Sequence, residues 1–372
     1  MLPAIPPGTR SVTGVAHDLL AALDGRSALG APARSVVLVV IDGLGAIQLR
    51  AHAGHARTLA GAMAKKDVIS TVFPSTTAAA LTSLLTGADP GRHGLVGYAV
   101  RDPATGTVVN QLSGWESAGV DGSAWQAEPT VFERARAAGR PAFAVGLPEY
   151  AHSGFSAATL RGAEFRGGRS AVERVALALA LAEENDGALV YCYLPEADKA
   201  GHRHGVDSGA WVAALEDLDA ALTVRIPDGV GVLVTADHGM VDVPVHRHLV
   251  IDERSPLQRG VALIAGEPRM LHVYLDDPAD VLQVAEEWIR GTEGAADVLT
   301  RDQATAGGLY GPEVTPEAAS RIGDLVVPAR GQWALYDGAA EDQRSQGMIG
   351  QHGALTPEEL RVPLLRLGAF AR

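Results

Sequence analysis

Cysteine is almost missing from this chain: Cys192 stands alone in 372 residues, which excludes a disulfide framework and a thiolate metal cluster. Lysine is nearly as scarce, with Lys65, Lys66 and Lys199 only. Arginine supplies the remaining positive charge, and with the high alanine and glycine content this reads as a genomic bias. Positive charge is short overall, since 31 Lys and Arg face 44 Asp and Glu for a formal net charge of −13. A chain this acidic lacks the electrostatic footprint of a backbone-tracking protein, so no stable nucleic-acid partner is expected. A small anionic substrate remains compatible if local cations, metals above all, invert the field. Long apolar runs are also missing. The longest, Val175–Ala182, is far too short to span a bilayer, so no membrane partner is expected. Met1–Gly30 carries Arg10, Asp18 and Asp24 and no uninterrupted apolar stretch, unlike a secretory signal. The expected location is the cytoplasm. Neither an internal repeat nor a low-complexity tract is evident, and oligomeric state is not legible.

What is present describes a globular protein, with 47% hydrophobic and 20% charged residues. The length suits one large domain with an elaboration, or two domains. Ser35–Asp42, Ala188–Leu194 and Gly231–Asp237 are apolar runs that fit strands buried on both faces, and Asp67–Thr71 and Pro141–Val145 are weaker strand patterns. Helical patterns at Thr77–Thr86, Ala171–Glu184 and Ser208–Thr223 alternate with them. The alternation predicts an α/β fold, a doubly wound, mostly parallel sheet flanked by helices. Residues 246–335 read as a small inserted α+β cap, with strand patterns at Met270–Leu275, Asp324–Val327 and Trp333–Tyr336 and a helix at Val281–Arg290. Residues 1–245 and 336–372 then form the catalytic core. Ala157–Arg169 reads as a loop.

Ligands in doubly wound sheets bind beyond the carboxyl ends of the strands. Asp42 ends the first strand, Asp198 follows the second, and Asp237 with His238 ends the third. Carboxylates gathered there repel one another unless cations sit between them, which favours a metal site. Asp198 and His202 are four residues apart and can aim at one ion, and His352 offers a histidine from the far end of the chain. Imidazole with carboxylate suits zinc, with manganese or iron as alternatives. In Phe73–Gly87 a loop runs into an Ala- and Leu-rich helix; Ser75 and Thr76 are N-cap types, which places Thr77 in the first turn. Free amides and the helix dipole favour an oxyanion there, and coordination to a divalent metal would activate the threonine hydroxyl.

Five segments, VVIDGLG (Val39–Gly45), FPSTTAAALTSLLTGADPGRHGLVGY (Phe73–Tyr98), DKAGHRHG (Asp198–Gly205), TADHGM (Thr235–Met240) and GQHG (Gly350–Gly353), appear in this order. Together they resemble the nucleotide pyrophosphatase/phosphodiesterase branch of the alkaline phosphatase superfamily. The resemblance frames nearly the whole core and leaves the cap uncovered. It implies an alkaline phosphatase-like core with two divalent metal ions, one held by Asp198, His202 and His352 and the other by Asp42, Asp237 and His238. It further implies that Thr77 coordinates the second ion, attacks phosphorus and forms a phosphothreonine intermediate. The implied substrate is a small, nucleotide-like phosphodiester or phosphoanhydride.

Two positions depart from the family pattern. Tyr98 stands where the diesterases place an asparagine against a phosphoryl oxygen, and Ala78–Ala80 replace a Phe-Pro-Asn beside which a nucleobase packs. Tyr98 is therefore the expected substrate-binding residue, donating from its phenol. A phosphomonoesterase or phosphomutase of the same superfamily, or an inactive metal-binding module, are the rival readings. A sulfatase is disfavoured because the nucleophile loop lacks C/S-x-P-x-R. Among other conspicuous residues, His93 is expected to pin the turn after the nucleophile helix and His204 to support a ligand from behind. His246 and His248 are expected at the surface, Lys199 in solvent, and Trp115 and Trp125 either in the core or stacked on a substrate base.

Overall fold

The computed structural model describes residues 10–26, 29–340 and 342–371. Its centre is a seven-stranded sheet. The strands are β1 (Ser35–Ile41), β2 (Val68–Ser70), β3 (Ala142–Gly146), β4 (Glu164–Gly167), β5 (Leu189–Leu194), β6 (Val230–Thr235) and β7 (Arg361–Gly368). Their order is β2-β7-β6-β1-β5-β3-β4. Pairing is parallel from β6 through β4, and β7 alone runs against its neighbours β6 and β2. The fold is thus α/β with a mostly parallel sheet, as the strand–helix alternation predicts.

The apolar run of β1 is buried along its whole length, which is why it reads as a continuous block and not as an alternating strand. At roughly 1.5–3 kcal/mol per buried aliphatic side chain, this strand alone contributes on the order of 10 kcal/mol against chain entropy. Its register aligns Ile41 with Leu194 of β5 and Val40 with Thr235 of β6. The carboxyl ends of the three central strands therefore lie side by side, and the chain emerging from each carries an aspartate to the same edge.

Four helices position the site. Helix α1 (Thr77–Thr86) has every residue buried and ends on Gly87 with φ 69°. Helix α2 (Ala171–Glu184) is capped by Ser170, whose hydroxyl accepts from the Glu173 amide. Helix α3 (Glu196–His204) follows β5, and α4 (Gly209–Ala221) is capped by Ser208. Residues 157–169 depart from the predicted loop. They hold the end of a Gly154–Thr159 helix and the edge strand β4. Strand β4 is short and mostly exposed, so it lacks the apolar run that marks a buried strand.

Between β6 and β7 the chain builds a second, four-stranded antiparallel sheet, in the order Val261–Glu267, Met270–Leu275, Leu325–Pro328, Leu299–Thr300. The Val261–Glu267 strand is not anticipated by the sequence patterns. Helix Val281–Gly291 covers this sheet through Val284 and Trp288, which join Leu271, Val273 and Leu325 in a separate apolar cluster. Ala334–Asp337 pairs instead with His248–Ile251 in a two-stranded parallel ladder. Among the described residues no helix is long and apolar enough to cross a membrane.

Candidate active site

Each strand end contributes through a different local device. Asp42 is the first residue beyond β1, and Gly43 at φ +72° follows it; a Cβ there would sit 3.0 Å from the Cα of Asp198. Glycine is what lets these two loops close on each other. Asp198 and His202 lie one turn apart on α3, so both face the cleft. Asp237 and His238 follow β6, and the Asp237 carboxylate accepts from the amides of His238 at 3.0 Å and Gly43 at 3.3 Å. His352 lies in the loop after residues Gly350–Gln351, which pair with Val241–Asp242. Thr77 opens α1, behind the N-cap Thr76, which makes no side-chain cap bond. The first-turn amides of α1 are thereby left for a ligand.

The histidine tautomers follow from their outer nitrogens. Nδ1 of His202 lies 2.8 Å from the Gly350 carbonyl, that of His352 3.0 Å from the Ser75 carbonyl, and that of His238 3.1 Å from the Gly239 carbonyl. A carbonyl only accepts, so each Nδ1 carries the proton and each Nε2 turns a lone pair inward. Nε2 of His352 and Nε2 of His202 then face one another at 3.2 Å, and Oδ1 of Asp198 is 3.3 Å from the latter and 3.8 Å from the former. In a second group Nε2 of His238 lies 3.4 Å from Oδ1 of Asp42 and 3.5 Å from Oδ2 of Asp237. The Thr77 hydroxyl donates to the same His238 nitrogen at 3.1 Å.

Apart from the Thr77 hydroxyl, the atoms turned inward in these clusters are acceptors. Oδ1 of Asp42, Oδ1 of Asp198 and Oδ2 of Asp237 are buried without a hydrogen-bond partner. Ligands about 2.0–2.2 Å from a tetrahedral ion lie about 3.3–3.6 Å apart, and most of the spacings above fall in or next to that range. The donor set fits a divalent metal in each group. His238 stands between them, because its ring stacks on that of His352 with centroids 3.6 Å apart, and both Asp198–His238–His352 and Asp42–Asp237–His238 meet metal-holding geometry.

Charge crowding registers in the titration behaviour. Burial, and then the charges of Asp237 and Asp198, push the Asp42 carboxyl well above its ordinary range. Burial pushes Asp237 up to about 7. Burial, with His238 and His202 alongside, pushes His352 well below the usual imidazole range. The surroundings thus favour the protonated form of the acids and the neutral form of the base, as expected of a site built around a cation other than H⁺.

A family model for type I phosphodiesterase/nucleotide pyrophosphatase matches residues 36–355. The chain belongs to that family. The fold is also that of known structures. Murine ectonucleotide pyrophosphatase/phosphodiesterase 5 superposes with a TM-score of 0.68 at 18% identity, covering 90% of this chain and 88% of that one. An inactive threonine-to-alanine variant of the same murine protein, in complex with AMP, gives the same figures, TM-score 0.68 and 18% identity. Phosphonoacetate hydrolase from Sinorhizobium meliloti 1021, in complex with phosphonoformate, also superposes with a TM-score of 0.68, at 19% identity over 92% of this chain and 94% of that one. A search of curated proteins finds no match. Hydrolysis of phosphoester-type bonds is the activity of the family this chain joins.

All seven residues singled out for metal binding and attack, Asp42, Thr77, Asp198, His202, Asp237, His238 and His352, meet at this one edge. Tyr98 lines the cleft with Thr77 and Asp42, and its carbonyl accepts from the Gln111 amide at 2.6 Å. His93 is buried between the Ser83 hydroxyl at 2.9 Å and the Leu95 amide at 3.1 Å, and so ties α1 to the following turn. His204 departs from expectation: it is exposed on the last turn of α3 and supports no ligand. His246 is exposed, whereas His248 is half-buried against Tyr336, with ring centroids 4.7 Å apart. Lys199 is exposed, as expected, yet its ammonium lies 5.7 Å from the Tyr150 ring centroid at the cleft wall. Trp115 and Trp125 pack edge to face, centroids 6.1 Å apart.

Two site residues escaped sequence reasoning. The Tyr193 hydroxyl donates to Oδ2 of Asp42, the oxygen turned away from the metal-binding position. Period two in LVYCYL places Tyr191 and Tyr193 on one face of β5, and a phenol at a buried strand end needs a partner, so a signal existed. Glu267 had none. It arrives from the second sheet, with Oε2 3.9 Å from Nδ1 of His352, and burial together with Glu359 raises its carboxyl well above the ordinary range.

Proposed function

We propose that this protein hydrolyses phosphodiester or phosphoanhydride bonds with two divalent metal ions, zinc foremost, through a phosphothreonine at Thr77. The observation that carries this reading is the meeting of three unpartnered, buried carboxylate oxygens with the Thr77 hydroxyl at a helix N-terminus. Asp198, His202 and His352 would hold one ion, and Asp42, Asp237 and His238 the other. Bound there, the ions supply Lewis acidity that lowers the pKa of coordinated hydroxyls and offsets charge on phosphoryl oxygens. The chain's own residues do the rest. Thr77 Oγ1 attacks phosphorus as the bond to the leaving oxygen breaks, and the alcohol departs with the proton that Thr77 gives up. Water then cleaves the Oγ1–phosphorus bond, which restores the threonine and frees a phosphate monoester. The first-turn amides of α1 hold the phosphoryl oxygens. The inactive threonine-to-alanine relative that binds AMP supports both this nucleophile and a nucleotide-like phosphoester as reference substrate.

A phosphomonoesterase is the second reading, and Lys199 at the cleft wall favours it. Charge decides between them. Two divalent ions are balanced by Asp42, Asp198, Asp237 and a Thr77 alkoxide, so a monoester dianion brings one charge more than a diester. At an effective dielectric of about 20, an uncompensated charge about 4 Å away costs roughly 4 kcal/mol. The cleft lining contains no arginine among the described residues, and Tyr98 is uncharged. With protein carrying close to two metals per chain by elemental analysis, kcat/KM for bis-p-nitrophenyl phosphate is expected to exceed that for p-nitrophenyl phosphate at least about tenfold. The reverse preference establishes the second reading; an active, metal-free preparation overturns both.

A further inference from the structure

Thr77 lines two cavities. One is the metal-side cleft with Asp42 and Asp198; the other, of about 310 Å³, leads away from it under α1. Leu81 and Leu85 stand four and eight residues beyond Thr77 and line this second cavity with it. It therefore follows the helix for two turns, about 12 Å. The facing wall is Phe155, Leu160, Phe165 and Tyr191. Most polar groups around it are engaged within the protein, while Trp115 Nε1 is buried without a partner. The hydroxyls of Ser153 and Ser156 donate to the Tyr150 carbonyl at 3.3 and 2.6 Å, and Thr159 donates to Phe155 at 2.8 Å. Glu116 accepts from the Gly154 amide at 3.0 Å, and Tyr193 donates to Asp42. Trp115 Nε1 could meet one acceptor of a nucleobase placed here, and the base's other donors and acceptors would go unmet, at a cost each comparable to a lost hydrogen bond.

We propose that this pocket holds a hydrocarbon ester group of the substrate, so that the protein prefers phosphodiesters bearing an alkyl or prenyl chain over those bearing a nucleoside. This rests on the phosphodiesterase reading above and narrows its substrate. The volume is about twice the ~150 Å³ of a dry apolar cavity that binds benzene, which makes room for about a dozen carbons. In-line displacement sends the leaving group away from the attacking oxygen. The pocket instead runs back along the nucleophile's own helix, so the chain it holds is the ester group that stays on phosphorus.

The test is a homologous series of alkyl p-nitrophenyl phosphates, methyl through dodecyl, on metal-loaded enzyme. kcat/KM is expected to rise about fourfold per methylene until the pocket is full. Leu85→Trp, which fills the deep end, is expected to abolish the rise with chain length; Leu160→Trp serves if that variant fails to fold. In parallel, calorimetric titration with the corresponding alkyl phosphates is expected to show Kd tightening about fourfold per methylene, with a negative heat-capacity change. A flat series, or a thymidine 5′-p-nitrophenyl ester turned over faster than the octyl ester, overturns the proposal. If no diester is turned over, the phosphodiesterase reading fails, and the calorimetric series decides the pocket alone: chain-length dependence upholds it and independence overturns it.

Discussion

Removing a hydroxyl tests two different roles at this site. Thr77→Ala removes the proposed attacking oxygen together with the γ-methyl, a small deletion within a helix whose every residue is buried. Turnover is expected to fall by at least about a thousandfold, roughly 4 kcal/mol, with metal content and circular dichroism unchanged; Thr77→Ser should keep part of the rate. A Thr77→Ala enzyme within tenfold of wild type would contradict covalent catalysis. Tyr193→Phe acts one bond further out. It strips Oδ2 of Asp42 of its donor, so that carboxylate loses the contact that orients it. Metal affinity at the Asp42 site is expected to drop by about 10- to 100-fold, read by competition with a chromophoric chelator. Lost turnover with undiminished affinity would place Tyr193 on the substrate instead. The residues with metal-binding chemistry were legible because each stands directly beyond a recognisable strand or in a short motif. Tyr193 was hidden by being a strand residue whose hydroxyl reaches across to the neighbouring strand's end.

At the scale of elements, a buried ion pair ties the second sheet to the site. Arg269, in the turn between Val261–Glu267 and Met270–Leu275, donates to Glu359 through Nε at 3.0 Å and Nη2 at 2.7 Å. Both side chains are fully buried. Glu359 also accepts from the Ala354 amide at 2.9 Å and the Thr356 hydroxyl at 2.6 Å, and so braces the loop that carries His352. Burial works to raise the Glu359 carboxyl, but Arg269 together with the Thr356 and Ala354 hydrogen bonds holds the group below the ordinary range. Arg269→Met leaves a buried carboxylate without its cation, which is expected to cost about 3–5 kcal/mol in urea unfolding and to weaken the His352 metal site. Adding Glu359→Gln, which removes the charge and keeps an acceptor for the loop, should recover part of that loss; a double variant no better than the single one would assign the effect to shape. No sequence pattern marks a pair 90 residues apart. Helices α1 and α2, by contrast, end where their apolar spacing and caps place them. Strand β4 did not read as a strand because only the sheet behind it, not its own EFRG, makes it one.

For the whole molecule, the mostly parallel sheet was legible because β1, β5 and β6 are sealed on both faces and so spell out unbroken apolar runs. The apolar pocket under α1 was not, since its walls come from α1, β3, β5 and the stretch that read as a loop. The same assembly that brings three aspartates to one edge makes the folded state pay for their charge. Asp237, raised from 3.8 to about 7, and Asp42, raised by burial and by its acidic neighbours, are protonated in the metal-free fold under conditions where the unfolded chain has ionised them. The folded state therefore binds more protons between about pH 4 and 7, and this contribution to stability is lost as pH rises through about 7. Metal reverses the sign, because it binds the ionised carboxylates of the native state alone and stabilises it by mass action. At pH 5.5 the ions must displace those protons; at pH 8 they meet an Asp237 carboxylate already largely ionised. His352, held well below the imidazole range, stays neutral at both values. Its cost at acid pH arises in the unfolded chain and cancels between the metal-free and loaded forms. The rise in Tm on adding zinc is thus expected to be several degrees larger at pH 8 than at pH 5.5, and proton release on binding, measured calorimetrically in two buffers of different ionisation heat, to diminish over the same interval. An increment equal at both pH values would mean that the metal does not engage Asp42 and Asp237.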